Sequence, residues 1–128
     1  MKDIEGWFSI QEHGCLMNLA GAVAHPGCIF VEVGSYKGRS TQALAVVAKA
    51  FNGMVYCVDN WKISGKYDRP QMNYMGAFCD NMEGLSLRDN VAIMFMDSPR
   101  ASTVFRDRLA DLVFIDASHQ YHDVKADI

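Results

Sequence analysis

The sequence predicts an α/β protein with a mainly parallel sheet of about four strands and helices on both faces. Short, continuous apolar runs, which are typical of strands buried on both faces, alternate along the chain with segments of helical periodicity. The chain has 128 residues, half of them hydrophobic (50%), which is enough to bury one core. We find no repeat, low-complexity segment or composition shift, so residues 1–128 are expected to form a single domain.

The first part of the chain predicts a helix, a strand and a second helix. Apolar side chains recur near the helical period over about 9–24, and this helix ends before Pro26. The first strand is predicted over 28–33 and opens the α/β core, which we assign to 28–128. A glycine-containing loop leads into the next helix, which ends before Gly53 because glycine is a common helix stop.

The second part of the chain continues this alternation. Further apolar runs predict three strands, and Pro70 is a favourable first residue for a helix. The predicted strands cover 54–58, 91–96 and 111–116, and the predicted helices cover about 71–82, 99–108 and the start of one over 120–128. Helices between successive strands imply that the strands are parallel and that both faces of the sheet are covered.

Composition limits the partners and the location of the protein. A net charge of -3 and a pI of 5.7 give no electrostatic support for binding nucleic acid or an anionic membrane. The sequence shows no signal-peptide pattern and no apolar run long enough to span a bilayer. Cys15, Cys28, Cys57 and Cys79 form no CxxC pair and lie in apolar segments, which favours buried, reduced cysteines in a cytoplasmic protein.

The most informative stretch is 30–41, where an apolar strand turns into a helix through a loop bracketed by Gly34 and Gly38. Such a turn presents free backbone N–H groups and the positive end of the helix dipole to a ligand. Glycine tolerates a positive φ and lets a ligand approach the backbone closely. The spacing differs from the dinucleotide-binding pattern, and Glu32 would repel a pyrophosphate, so a ligand without phosphates is favoured.

The pattern Glu32-x-Gly34-x-x-x-Gly38-x-Ser40 after an apolar strand resembles motif I of class I S-adenosylmethionine-dependent methyltransferases. It is most similar to the small-molecule O-methyltransferase branch that includes catechol and macrocin O-methyltransferase-like proteins. The resemblance implies a Rossmann-like three-layer α/β/α sandwich and S-adenosylmethionine as the cofactor. It also implies that Glu32, Gly34, Ser35, Gly38 and Ser40 belong to the cofactor site. Later landmarks of the family follow in order across almost the whole chain.

An acidic residue ends the second predicted strand, at the sheet edge where ligands bind in such folds. Asp59 lies about 27 residues after Glu32. Its carboxylate can accept hydrogen bonds from both hydroxyls of a ribose, and the resemblance implies that role. The alternative is a turn cap, because Asp59-Asn60 is also typical of turns. Trp61 either flanks the adenosine or covers the edge of the core.

The third predicted strand is followed by Asp97 and Ser98. The resemblance implies that Asp97 accepts a hydrogen bond from the adenine amino group and that Ser98 lines the same pocket. The alternative is that one of them caps the next helix, with Pro99 at its first position. The two roles are compatible, since a residue can cap a helix and still face a ligand.

The segment 115–121, at the end of the fourth predicted strand, resembles the Ile-Asp-Gly-x-His-x-Tyr signature of the family. The resemblance implies that Asp116 faces the methyl group and its acceptor, and in metal-dependent relatives this residue holds a divalent cation such as Mg²⁺. His119 is a candidate general base, or else a structural histidine. Ala117 and Ser118 stand where relatives often carry Gly and Asp, which weakens the metal assignment.

Two functions fit these residues. The first is an S-adenosylmethionine-dependent O-methyltransferase, or its cofactor-binding portion, in which the oxygen of a small substrate displaces the methyl group from the sulfonium. The second is a non-catalytic module that binds S-adenosylmethionine or a nucleoside. A dehydrogenase-like domain is a weaker third option, disfavoured by Glu32 and by the glycine spacing.

The chain is short for the family it resembles. Full members continue with three more strands, whereas this sequence ends at Ile128, which suggests C-terminal truncation after the fourth strand. If the strands follow the order of the family that the chain resembles, which is third, second, first, fourth, the fourth is left as an exposed apolar edge. We therefore expect either a fragment of a longer protein or a compact variant completed as a homodimer or larger homo-oligomer.

Overall fold

The computed structural model describes residues 3–62 and 73–117, together with Lys125. Helices and strands alternate as the sequence predicts, while the last predicted helix lies almost entirely outside the described residues. The helices are α1 (Ile10–Val23), α2 (Thr41–Ala50), α3 (Tyr74–Gly84) and α4 (Ser98–Ser102), with a 3-10 helix at Arg88–Asn90. The strands are β1 (Ile29–Val33), β2 (Met54–Asp59), β3 (Val91–Phe95) and β4 (Leu112–Ile115).

The four strands form one parallel sheet in the order β3-β2-β1-β4. This confirms the predicted fold class and the predicted strand order. In the register, Glu32 of β1 lies beside Cys57 of β2 on one side and Phe114 of β4 on the other. Because all the strands run the same way, their carboxyl ends meet at one edge of the sheet.

Helices cover both faces of the sheet and give the predicted three layers. On one face α1, α2 and α3 share a core with alternate strand residues, among them Phe30 and Val55. On the other face a smaller cluster joins Val31, Val33 and Val58 to Ala101 of α4. Successive side chains of a strand point to opposite faces, which explains why Phe30 and Val31 belong to different clusters.

Helix α1 begins at a complete capping box. The Ser9 hydroxyl accepts a hydrogen bond from the Glu12 N–H (3.2 Å), and the Glu12 carboxylate accepts one from the Ser9 N–H (2.7 Å). With 14 residues α1 is also the longest described helix. No helix in residues 3–62 and 73–117 is both long enough and apolar enough to cross a bilayer.

Helix α4 is shorter than predicted, ending at Ser102 instead of continuing to about residue 108. The hydroxyls of Ser102 and Thr103 each donate to a backbone carbonyl three residues earlier, at 2.8 Å. Such local bonds compete with helix continuation, and the following Val104 has a low helix propensity. The prediction of a helix over 99–108 was wrong for its second half.

The cysteines are free but not uniformly buried. Cys28 and Cys57 lie in the core, whereas Cys15 is exposed on α1 and Cys79 is partly exposed on α3. The prediction that all four are buried was wrong, because Cys15 falls on the solvent side of a helix whose buried positions include Leu16 and Ala20.

Candidate functional site

The strand ends bring the predicted site residues to one edge of the sheet. Backbone bonds align these ends: Gly34 N–H donates to Val58 O, and Asp116 N–H donates to Val33 O, each at 2.9 Å. Met96 N–H donates to Asp59 O at 3.1 Å. The residues that follow β1, β2, β3 and β4 are therefore neighbours, as the predicted site requires.

Gly34 and Gly38 both adopt a positive φ, of 93° and 91°, as predicted for the turn. A Cβ on Gly34 would lie 2.5 Å from the carbonyl oxygen of Asp116, and a Cβ on Gly38 would lie 2.6 Å from Cε of Met82. The close approaches that these glycines permit are thus to the end of β4 and to α3. The sequence predicted a close approach by a ligand, and that contact stays a prediction.

Glu32 is completely buried beneath the glycine loop. Its carboxylate accepts hydrogen bonds from Ser40 Oγ (2.6 Å) and from Thr41 Oγ1. Burial raises the pKa of Glu32, and the two hydroxyl donors act in the opposite direction. The carboxylate therefore ties β1 to the start of α2. Contact of Glu32 or Ser40 with the cofactor stays a prediction.

Asp59 holds two backbone groups of the surrounding loops. Its Oδ2 accepts from Tyr36 N–H at 2.9 Å and its Oδ1 accepts from Trp61 N–H at 2.6 Å. Tyr36 and Trp61 have positive φ values of 46° and 49°, which are unfavourable for bulky side chains and need such support. The turn-cap alternative is confirmed, and a carboxylate with two further lone-pair positions can still bind ribose hydroxyls.

Trp61 covers the edge of the core, which is the second of its two predicted roles. Its side chain is 8% exposed, and its Nε1–H donates to Tyr36 O at 2.7 Å. The indole meets Phe78 edge-on and lies parallel to Phe95, with ring centroids 5.6 and 6.1 Å apart. A contact between Trp61 and adenosine stays a prediction.

The sequence analysis missed Lys37, a buried cation inside the glycine loop. Its Nζ lies 2.6 Å from a carboxylate oxygen of Glu5 and within 6 Å of the ring centroids of Tyr36 (5.3 Å) and Tyr74 (5.7 Å). Burial lowers the pKa of Lys37, but the hydrogen bond to Glu5 and the charges nearby outweigh it, so the net shift is upward. The partner Glu5 lies 32 residues away in sequence, which no local pattern reveals.

Arg39 was also missed, and it too binds the N-terminal segment. Its guanidinium donates to Asp3 Oδ1 at 2.8 Å and to the backbone carbonyls of Ile4 and Phe8. Both cations of the glycine loop are therefore engaged by residues 3–8. Residues 3–8 contain two acidic residues and no basic residue. This excess of negative charge was the signal available in the sequence, although it does not show which cations it pairs with.

Asp97 caps α4, as one of its predicted roles requires. Its Oδ1 accepts a hydrogen bond from Arg100 N–H at 3.2 Å, and Ser98 is the first residue of the helix. Asp97 itself is exposed at the edge of the sheet. Its predicted contact with adenine and the pocket role of Ser98 stay predictions.

The candidate catalytic residues differ in how they are placed. Asp116 is exposed, directly after β4, and its carbonyl packs against Gly34. His119 lies outside the described residues. Ser35 Oγ is buried with no hydrogen-bond partner in the part of the chain that the structure describes. Within that part, no group of three acidic, His or Cys side chains could hold a metal ion, so the metal role of Asp116 stays a prediction.

A groove of about 280 Å³ lies on the α4 face of the sheet. Apolar strand residues such as Val31 and Val113 form its floor, and Arg106 and Arg108 line it as well. Ser98 is the single predicted site residue among those that line the groove. It is therefore distinct from the loop network around Asp59.

Comparison with known families identifies the chain. A profile described as a methyltransferase domain matches residues 31–128, from β1 and the glycine loop to the end of the sequence. The chain belongs to this methyltransferase family. A comparison with curated proteins finds no significant match.

Solved structures with the same fold include several methyltransferases. The O-methyltransferase from Bacillus cereus in complex with SAH (S-adenosylhomocysteine) is 20% identical, with a TM-score of 0.65 over 98% of this chain and 51% of that chain. An SAH-bound methyltransferase from Podospora anserina is 16% identical, with a TM-score of 0.68 over 92% of this chain and 46% of that chain. An rRNA methylase from Streptococcus thermophilus is 14% identical, with a TM-score of 0.64 over 98% of this chain and 63% of that chain.

These likenesses show the fold. The chain spans 46% to 63% of the lengths of these three structures, which are therefore about half as long again or more.

Proposed function

We propose that this chain is the cofactor-binding part of an S-adenosylmethionine-dependent methyltransferase that acts on a hydroxyl group of a small molecule. The observation that carries the proposal is the carboxylate of Asp59, fixed at the end of β2 and tied to the glycine loop through Tyr36. Membership of the methyltransferase family and the SAH-bound Bacillus cereus O-methyltransferase support the cofactor and the reaction class.

The described residues fit the cofactor. In this proposal Asp59, which keeps free lone pairs beside its two backbone bonds, binds the two ribose hydroxyls, and Asp97 and Ser98, which follow the next strand, contact the adenine. In this proposal Gly34, Ser35, Gly38 and Ser40 form the turn that faces the rest of the cofactor, and Trp61 borders the adenosine. Glu32 supports the turn by accepting hydrogen bonds from the hydroxyls of Ser40 and Thr41.

The chemistry requires alignment of the acceptor and removal of its proton. The cofactor supplies an activated methyl carbon when bound. We propose that Asp116 positions the acceptor hydroxyl and that His119 takes its proton, since an imidazole titrates near neutral pH. In a metal-dependent form of this reaction, we propose that Asp116 would hold a divalent cation such as Mg²⁺. The described residues supply no complete set of three such ligands, so at least one further ligand would come from outside them.

Binding is tested first, by calorimetry with S-adenosylhomocysteine. We expect one site per chain. No detectable heat of binding at millimolar S-adenosylhomocysteine would overturn the proposed function.

Turnover is tested next, with labelled S-adenosylmethionine and a panel of catechols and hydroxylated sugars, with and without Mg²⁺. The matched variant is Asp116→Asn, which keeps the shape of the side chain and removes its charge. We expect it to abolish transfer and to leave S-adenosylhomocysteine affinity nearly unchanged, because the adenosine contacts lie at other strand ends. Equal loss of both would make Asp116 a structural residue.

The alternative function is a non-catalytic module that binds S-adenosylmethionine or a nucleoside. The chain spans 51% of the length of the Bacillus cereus enzyme, and this alternative requires only the cofactor site. Binding without transfer to any acceptor, in the unmodified chain, would select this alternative.

We also propose a homodimer in the cytoplasm. The four free cysteines suit a reducing compartment. Net charge gives no support for nucleic acid or membranes as partners. The exposed apolar side chains of β4, Val113 and Ile115, support the dimer.

A further inference from the structure

The N-terminal segment Asp3–Phe8, here called the strap, lies on the glycine loop without forming a helix or strand. Ile4 is 2% exposed and belongs to the main core, so the strap is anchored near its start. A Cβ on Gly6 would lie 3.2 Å from Cδ of Arg39, which shows how closely the strap backbone follows the loop. The strap is thus in direct contact with the element proposed to bind the cofactor.

Two ion pairs fasten the strap, and in each the cation is the more buried partner. The side chain of Lys37 is 7% exposed, against 72% for Glu5, and that of Arg39 is 17% exposed, against 94% for Asp3. An exposed ion pair contributes little, but a buried cation that loses its carboxylate is left poorly compensated. Lys37 depends most on its partner, since Arg39 also donates to two backbone carbonyls.

The strap also touches the residue that connects the loop to Asp59. The ring of Trp7 packs against the ring of Tyr36, with centroids 5.5 Å apart. Tyr36 has a positive φ of 46°, donates its N–H to Asp59 and accepts the indole N–H of Trp61. A change in how the strap packs on Tyr36 therefore reaches both Asp59 and Trp61 through single contacts.

We propose that the strap is a positioning element for the cofactor site: its ion pairs and Trp7 hold Tyr36 in the conformation that orients Asp59. This rests on the proposed function and adds to it a dependence of cofactor affinity on ionic strength. If the strap is released in a fraction of molecules, the apparent association constant is multiplied by the fraction that remains competent.

The test measures the affinity for S-adenosylhomocysteine in Glu5→Gln and in a matched control, Glu83→Gln, which removes an equal charge from the exposed surface of α3. We expect Glu5→Gln to weaken binding by about threefold or more, and the control to leave it unchanged. Asp3→Asn should have a smaller effect in the same direction, because Arg39 keeps its two carbonyl partners.

Ionic strength gives a readout that a general loss of stability would not move. Raising salt from about 0.05 M to about 0.5 M screens the ion pairs, so the affinity of the unmodified protein should fall. The salt dependence should be reduced in Glu5→Gln and retained in Glu83→Gln. The protein can be labelled with 5-fluorotryptophan, and the Trp7 resonance is assigned from the Trp7→Phe variant. The chemical shift of this resonance should change with salt in the unmodified protein and in Glu83→Gln, and should change less in Glu5→Gln.

Equal affinity and equal salt dependence in Glu5→Gln and the unmodified protein would overturn the inference and leave the proposed function intact. Absence of S-adenosylhomocysteine binding in every variant would overturn both. In that case the Trp7 resonance would still show whether the strap responds to salt.

Discussion

At the scale of single residues, Asp59 links structure and proposed function. Its carboxylate supports Tyr36 and Trp61, two bulky residues with positive φ, through their backbone N–H groups. Strained backbone persists only where its surroundings hold it, and such positions often cluster at functional sites. One carboxylate therefore both shapes the loops and, in our proposal, receives the ribose.

We predict that Asp59→Asn weakens S-adenosylhomocysteine binding by about 1.5–3 kcal/mol, the range for losing a hydrogen bond to a charged group. The amide is similar in shape, but its NH₂ cannot accept a hydrogen bond from Tyr36, Trp61 or a ribose hydroxyl. Calorimetry measures the effect, with the exposed Asp107→Asn as the control for loss of charge. Unchanged affinity in Asp59→Asn would remove this residue from the ribose site.

At the scale of elements, the glycine loop and the end of β4 pack more tightly than the sequence suggests. Gly34 combines a positive φ with a backbone neighbour, the carbonyl of Asp116, that cannot move aside as a side-chain tip can. Gly38 instead faces the flexible end of Met82. The constraint at Gly34 is thus the more severe of the two.

We predict that Gly34→Ala lowers the free energy of unfolding by about 2–4 kcal/mol, since it adds both conformational strain and a clash with backbone. Gly21→Ala is the matched control. That glycine lies within α1 with open space around its Cβ position, so alanine should stabilise the helix by up to about 1 kcal/mol. Urea denaturation measures both, and equal effects of the two substitutions would contradict the packing described for Gly34.

At the amino ends of the strands, opposite the predicted cofactor site, His25 and Asp111 form a side-chain contact. His25 Nε2 lies 2.9 Å from Asp111 Oδ1, and Asp111 Oδ2 accepts from Ile29 N–H at 2.8 Å. The hydrogen bond to Asp111, then that to the Pro26 carbonyl, raises the pKa of His25. The Ile29 N–H, then His25, lowers the pKa of Asp111. This contact joins the α1–β1 connection to the start of β4.

We predict that this pair gives a pH-dependent contribution to stability. The raised pKa of His25 means that its contribution is complete below the unfolded value of 6.5 and is lost as pH rises through the folded pKa. The lowered pKa of Asp111 means that its contribution is present above the unfolded value of 3.8 and is lost as pH falls through the folded pKa. The pair is therefore most stabilising between these two values.

Comparing the free energy of unfolding of His25→Gln with that of the unmodified protein isolates the pair, because other titrating groups are common to both. The difference should be larger near pH 5 than near pH 8. A difference that does not change with pH would show that the ion pair contributes nothing measurable.

At the scale of the whole molecule, β4 forms one edge of the sheet in the part of the chain that the structure describes. Val113 and Ile115 on this strand are 53% and 36% exposed. An apolar strand with an unpaired edge readily pairs with another chain, and a two-fold dimer is the commonest closed solution.

We predict a dimer or larger species by sedimentation at micromolar concentration. Val113→Lys should shift it towards monomer and keep the fold, since the Val113 side chain is already more than half exposed at 53%. Phe114→Lys is the less suitable change, because Phe114 packs edge-on against Phe8 and belongs to the core. A monomer in the unmodified protein would show that the dimer proposal is wrong.

Local patterns predicted the fold class, the order of the elements and the acidic residues at the strand ends, and the resemblance to a methyltransferase family predicted the strand order. The local patterns rest on hydrophobic periodicity and on connection rules for parallel sheets, both of which can be read along the chain. The sequence was less reliable where short-range competition decides, as in α4, which ends at Ser102 because hydroxyls bind the backbone. It also misjudged Cys15, whose exposure depends on which side of α1 faces the core.

The groups that these residues contact become evident only in the folded structure. Glu32 binds Ser40 and Thr41, Asp59 binds two loops, and Lys37 pairs with Glu5. Such contacts join groups that are far apart in the sequence, 32 residues in the pair of Lys37 and Glu5. The sequence can supply the charges, but their pairing depends on how the strap and the loops pack against one another, and that is a property of the folded chain.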